Sequence, residues 1–394
     1  MSGRSLISLL FVVYVLLTLI FLLMEKRIKR LRALLVFLIV IFLLSVFGYF
    51  YIRDYIVSRV DAKYIIDVSS SVLKGVNPYT SQYPSYYGPM YPILISPIAL
   101  LPSDLGLVLY GEFLLLLILY SLYRIFLHHG FTRDRALIYS LIISLNPAIH
   151  YYGIGLTQID DLIIGALGIL SLLTIILRKH SLSITIMSIS TMTKITSSIY
   201  SIPMLSGLDR GFTYLLSYIL LSAIILFIGY VFYGPEMIYR AYLVHTDRIG
   251  GLSIYKIIAQ YSDHLITLFA LLAVLVPVLS ALYMGRVCRE KFLYERIIIA
   301  LTLFYLFSPL NFPEYIMWTL PIAYVYIFSN KNMFLLTLYS IEVLLGRAWQ
   351  ELVQSVNADY SSIDKVLSLL YFVINLFIMA ILLLTKIGRC DQQK

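Results

Sequence analysis

Charged residues are scarce in this chain: Asp, Glu, Lys and Arg make up 13% of its 394 residues, against 60% hydrophobic. So little charge cannot cover the surface of a water-soluble protein of this length, which excludes a soluble globular fold. Cysteine is nearly absent. Cys288 and Cys390 both fall on segments expected to be cytoplasmic and lack metal-ligand spacing, so no structural disulfide is expected. The loops carry no His-x-x-x-His and no Asp-x-Asp pair, and no Gly-rich phosphate loop occurs. Neither a metal nor a nucleotide cofactor is therefore expected. Repeats, low-complexity linkers and a soluble domain are also missing, which leaves residues 1–394 as a single membrane domain.

What the chain does have is apolar sequence in long blocks. A bilayer-spanning helix needs roughly 20 apolar residues in a row. Segments 5–24, 33–52, 105–127, 214–232, 265–284 and 366–384 qualify, and 136–152, 162–177, 182–205, 297–307, 315–328 and 333–345 are shorter candidates. The expectation is an all-α, polytopic transmembrane helical bundle of about 10–13 spans. The first block lacks a small-x-small cleavage site and is followed, not preceded, by its basic cluster, so it reads as a retained span.

The net charge of +9 follows the same pattern. Lysine and arginine are retained in cytoplasmic loops beside span ends. Lys26, Arg27, Lys29, Arg30 and Arg32 lie between the first two apolar blocks, and placing them inside puts residues 54–101 outside. The same parity places Arg124, Arg133 and Arg135, then Arg178 and Lys179, then Arg286, Arg289, Lys291 and Arg296, and the C-terminal Lys386, Arg389 and Lys394, inside. Most acidic residues then fall outside. The positive charge reads as topology and attraction to anionic lipid, not as a nucleic-acid surface. A multi-pass protein of the cell membrane is expected, with its working face outside the cytoplasm.

Irregular sequence concentrates on that outer side, where a site can be built. Residues 1–32 form an extra span with its basic loop, 53–104 a first external loop, 233–264 a second, and 350–365 a third. In the first loop, residues 64–73 have helical potential and stop before Gly75, residues 77–79 form a turn, and 93–101 is too short to span. Segment 182–205 is dense in Ser and Thr, with Lys194 near its middle, and two short half-helices on the cytoplasmic side keep the topology consistent. Lys194 is costly in lipid and is expected to snorkel to the interface. Glu112 and Glu342 are expected to pair inside the bundle. The 34 tyrosines suit interfacial belts first and sugar-stacking surfaces second.

Motif spacing in the first loop is more specific. Asp61 is followed three residues on by Tyr64, then by Gly75-Val-Asn-Pro78-Tyr79, whose Gly stands fourteen residues after Asp61, then by Tyr87-Gly-Pro89 and a Pro-terminated apolar run. This order resembles the GT-C superfamily of membrane glycosyltransferases. Within it, the chain is most similar to the polyprenyl-phosphate-mannose-dependent family of the bacterial α-1,2-mannosyltransferases of phosphatidylinositol-mannoside synthesis. Asn146-Pro147 with Gly155-Leu-Thr-Gln158-Ile-Asp160-Asp161 resembles a later family element. Ser308-Pro309 with Glu314-Tyr315-Ile-Met-Trp318 resembles another, with Glu314 where the family usually has Gln. The likeness extends from about residue 40 to 330, and the span at 5–24 looks like an addition to it.

The resemblance implies a glycosyltransferase that moves a hexose, with mannose first in line, from a polyprenyl-phosphate donor to a lipid-linked or glycan acceptor in the bilayer. Such a transfer needs a base for the acceptor hydroxyl, positive charge for the leaving phosphate and a dry sugar pocket. Asp61 is the candidate base; its alternative role is to cap the helix at 64–73. Candidate substrate-binding residues are Tyr64, Tyr79, Gln158, Asp160, Asp161, Glu314 and Tyr315, with His245, Arg248 and Lys256 for the phosphate. Asp160 and Asp161 also suit a helix start, where carboxylates offset the dipole. A secondary transporter or lipid or glycan flippase is the competing class, although the matched halves usual in transporters are not found.

Overall fold

The computed structural model describes residues 60–390, less 145, 151, 154–157, 245–249, 252, 254–262, 289–291, 309 and 356–360. The described chain is almost entirely helical. Helices α1 (Val60–Leu73) and α2 (Met90–Ile95) flank a loop, and a short 3-10 turn, Ser96–Leu100, follows. The bundle then comprises α3 (Ser103–His128), α4 (Arg133–Ser144), α5 (Pro147–His150), α6 (Ile159–Ile176), α7 (His180–Thr193), α8 (Ser198–Ser206) and α9 (Gly211–Tyr233). After α10 (Pro235–Ile238) come α11 (Asp263–Cys288), α12 (Leu293–Phe307), α13 (Ile316–Asn330), α14 (Met333–Ser355) and α15 (Ser361–Cys390). Two two-residue strands, Gly250–Gly251 and Leu310–Asn311, pair in parallel.

Burial separates the helices by role. Helix α6 is enclosed along nearly its whole length and packs against α3, α7 and α13. Helix α9 is apolar all round and exposes Leu216, Leu220, Ile224, Phe227 and Val231. In water that surface would be unstable, whereas lipid accepts it without cost. Helix α15 likewise exposes Val366, Leu370 and Phe377.

Among the described residues four segments have the length and apolarity to cross a bilayer: Leu105–His128, Ile159–Ile176, Gly211–Tyr233 and Ile363–Leu383. The expected apolar blocks at 5–24 and 33–52 lie outside the described residues. Several other expected spans are helices of 12 to 15 residues, such as α4 and α12. The third external segment, expected at 350–365, is largely taken up by helix, because α14 runs on to Ser355 and α15 starts at Ser361.

Segment 182–205 does divide in two, but the two halves do not both stay on the cytoplasmic side as expected: the break lies beside Asp160 and Asp161, at the end of the bundle assigned to the outside. Helix α7 stops at Thr193, Lys194 is extended, and α8 begins at Ser198. Hydroxyls near the break bond back to carbonyls, with Thr193 Oγ1 donating to Ile189 O and Ser201 Oγ to Ser197 O, a habit that competes with regular helix. Helix α7 runs back alongside α6, so the break sits beside the start of α6 and both ends of the hairpin return to the opposite end of the bundle.

Candidate functional site

Two carboxylates, Asp160 and Asp161, open α6, and both are buried. Acidic residues suit a helix start, but two adjacent buried carboxylates need a cation to offset their lost hydration. Lys194 supplies it. Its Nζ donates to Asp160 Oδ2 at 2.9 Å and to Asp161 Oδ1 at 2.6 Å. Successive helix positions diverge by about 100°, yet the long lysine side chain spans both. The expectation that Lys194 snorkels to the interface is therefore corrected: the break in the hairpin delivers it to a buried acidic pair, which costs less than leaving that pair unbalanced.

Aromatic rings close the remaining sides. Lys194 Nζ lies 4.9 Å from the centre of the Tyr315 ring, 5.3 Å from Trp318 and 5.4 Å from Tyr87. Ring faces are electron-rich, so each contact adds to the hold on the ammonium. Tyr315 and Trp318 stand three apart, hence on one face of the turn that opens α13, and stack at 4.6 Å. Trp318 Nε1 donates to Asp161 Oδ1 at 3.0 Å. Glu314, in the turn before α13, is also buried, and burial first and Asp161 second push its carboxyl up to about 8.

The loop between α1 and α2 forms a wall over this centre. The Tyr64 ring stacks with Tyr86 at 6.1 Å and Tyr91 at 6.4 Å and meets Tyr87 edge-on at 6.3 Å. Tyr64 Oη accepts the Tyr86 N–H at 3.0 Å, and Tyr79 Oη donates to Tyr87 O at 2.8 Å. Burial holds the Tyr64 and Tyr79 hydroxyls well above the usual phenol range, so both stay neutral. Gly88 fastens the loop to the hairpin. Its N–H donates to Thr193 O at 2.9 Å, and a Cβ there would lie 2.1 Å from Met192 O, so only glycine permits the approach. Asn77 Nδ2 donates to Tyr233 O at 3.0 Å, tying the same loop to the end of α9.

The structure brings Tyr64, Asp160, Asp161, Glu314 and Tyr315 together around Lys194. Tyr79 lies one layer out, where it supports Tyr87. Gln158 is half-buried at the N-cap of α6. Helix α1 begins at Val60, so Asp61 sits inside its first turn. Asp61 is exposed and stands one helical turn before Tyr64. His245, Arg248 and Lys256 lie outside the described residues. Lys194, Trp318 and Tyr87 were not among the sequence candidates. A lysine in an apolar hydroxyl-rich segment was the available signal, because burial obliges it to find a partner and two adjacent aspartates at a helix start are the natural one.

An apolar helical bundle with a polar, aromatic site gathered at one end is the build of an integral membrane enzyme. Residues 86–309, more than half of the chain, match the model of glycosyltransferase family 87, and the chain belongs to that family. It is a GT-C-like membrane glycosyltransferase. The match takes in Tyr87, Asp160, Asp161 and Lys194, while Asp61, Tyr64 and Tyr79 precede it and Glu314, Tyr315 and Trp318 follow it. No curated protein matches the chain.

Proposed function

We propose that this glycosyltransferase moves a hexose, with mannose first in line, from a polyprenyl-phosphate donor to a lipid-linked or glycan acceptor on the non-cytoplasmic face, with Asp61 as general base. One observation carries the reading: the helix that presents the exposed Asp61 also presents Tyr64, one turn on, to the wall over the buried Lys194 centre. Asp160 and Asp161 are each engaged by Lys194, which suits them to organising the pocket. Asp61 is exposed, which leaves its carboxylate open to an acceptor hydroxyl.

In the reaction the acceptor oxygen attacks the anomeric carbon as its proton passes to Asp61. The bond from that carbon to the phosphate oxygen breaks, and its electron pair leaves with the polyprenyl phosphate, inverting the anomeric centre. The ring faces of Tyr64, Tyr87 and Tyr315 are taken by their neighbours and Lys194, so it is the polar edges of this aromatic wall that suit contact with a sugar. His245, Arg248 and Lys256 in the second loop remain the candidates for the leaving phosphate.

The test supplies purified protein with labelled polyprenyl-phosphate mannose and a lipid extract, and follows label into product. Asp61→Asn should lose about 100-fold or more of the transfer rate while inserting and melting like the wild type. Full transfer by Asp61→Asn would remove Asp61 as base. If wild-type protein moves no label from this donor with any acceptor, the donor class is wrong.

A further inference from the structure

At the far end of α6, about 24 Å from Asp160 by helix rise, lies a second polar site of opposite charge. Helix α6 ends in a tight turn in which Arg178 takes the left-handed conformation, φ 56°, while its N–H donates to Ile175 O at 2.8 Å. Glycine or asparagine closes such a turn with less strain. The Arg178 side chain lines a cavity of about 320 Å³ together with His128, His129, His180, Tyr294 and Arg296.

The cavity is built on several elements. Arg296, in the first turn of α12, is buried and donates through Nε to Pro203 O at 2.6 Å. Its guanidinium lies flat against Gly207, where a Cβ would come within 2.1 Å of one terminal nitrogen, so that glycine leaves the space the guanidinium fills. His129 Nε2 shares a hydrogen bond with Tyr294 Oη at 2.5 Å. The His180 ring rests on Tyr214 at 4.9 Å, and its buried Nδ1 meets no hydrogen-bond partner among the described residues. Among the described lining residues there is no carboxylate. Glu295 is buried beside Tyr294 and Tyr326 and does not line the space.

Two guanidinium groups, exposed on Arg178 and buried on Arg296, thus share one cavity with three imidazoles and a phenol, and no carboxylate stands among its described lining residues. Guanidinium forks match phosphate oxygens, and imidazole and phenol groups supply single hydrogen bonds. Basic pockets between helices at a membrane face bind lipid phosphates in the same way. We propose that this cavity binds a phosphate group, carried by a lipid headgroup or by a soluble phosphate compound, at the end of the bundle opposite the sugar-transfer site.

The test uses full-length protein in phosphatidylcholine nanodiscs. One arm adds phosphatidic acid and reads retained lipid by native mass spectrometry. The other reads labelled pyrophosphate by equilibrium dialysis. Binding in either arm that weakens at least about tenfold in Arg178→Gly, with the melting temperature unchanged or raised, supports the site. The arm that responds identifies the source. Arg178→Gly keeps the turn and removes the side chain with its charge, and His129→Gln is a second variant that retains a hydrogen-bonding group. Asp61→Asn should bind as the wild type does, which separates this site from the transfer reaction. No binding in either arm, or equal binding by wild type and Arg178→Gly, overturns the proposal.

Discussion

Asp161 Oδ1 accepts two hydrogen bonds, from Lys194 Nζ at 2.6 Å and from Trp318 Nε1 at 3.0 Å. Three helical elements therefore meet on one oxygen: the start of α6, the break between α7 and α8, and the start of α13. The same oxygen that balances a buried charge also fixes the register of the aromatic face that Trp318 shares with Tyr315.

Removing the cation should cost more than removing one carboxylate. Lys194→Met leaves Asp160 and Asp161 buried without their partner, and breaking a buried pair in this way costs about 3–5 kcal/mol. Asp160→Asn leaves Lys194 with Asp161 and should cost less. The triple variant Lys194→Met with Asp160→Asn and Asp161→Asn should recover much of the loss, since no charge is then stranded. Thermal unfolding in detergent reads all three, and a Lys194→Met protein as stable as wild type would show that the cluster carries no net weight.

Trp318→Phe separates the hydrogen bond from the ring. Phenylalanine keeps a face for Lys194 and Tyr315 but leaves Asp161 short of one donor. A hydrogen bond to a charged group contributes about 1.5–3 kcal/mol, so stability should fall by roughly that amount. If Tyr315 also contacts the sugar, KM for the donor should rise as its stacking partner loosens. Unchanged stability would mean that Lys194 alone satisfies that oxygen.

The sequence makes the apolar bundle and the loop helix readable because both rest on local signals. Long apolar runs mark α3, α9 and α15, and Gly75 stops α1 where the pattern says it should. The break at Lys194 is also legible, since a single span there would reverse the charge parity of every later loop. What local patterns do not encode is which groups meet. Asp161, Lys194 and Trp318 are separated by 33 and 157 positions along the chain. Asp160 and Asp161 therefore read as dipole partners, and Lys194 reads as a snorkelling residue, until the folding of the hairpin alongside α6 puts them in contact.

Gly88→Ala tests how the loop is held. The added methyl meets a backbone carbonyl, Met192 O, rather than a flexible side chain, so the loop must move away from the hairpin. Overpacking of this kind costs about 1–3 kcal/mol, and the Gly88 bond to Thr193 O weakens with it. Tyr87 would be displaced from Lys194, so sugar transfer should fall well beyond what the stability loss explains. Wild-type transfer by Gly88→Ala would mean that the wall over Lys194 is dispensable.

Glu314 gives the pH dependence a definite sign. Its carboxyl is raised from an ordinary value of 4.5 to about 8 in the folded protein. Between those values the folded state holds a proton that the unfolded state has released. Stability from this group is therefore complete below its unfolded value and declines as pH rises towards about 8, by on the order of 5 kcal/mol at the full shift. Glu314→Gln keeps the shape and cannot ionise. Melting of wild type and Glu314→Gln from about pH 5 to about pH 9 should show the variant gaining on the wild type as pH rises, with the two alike at the acid end. Parallel curves across that range would mean that Glu314 is already ionised in the folded protein, its charge compensated within the Lys194 centre.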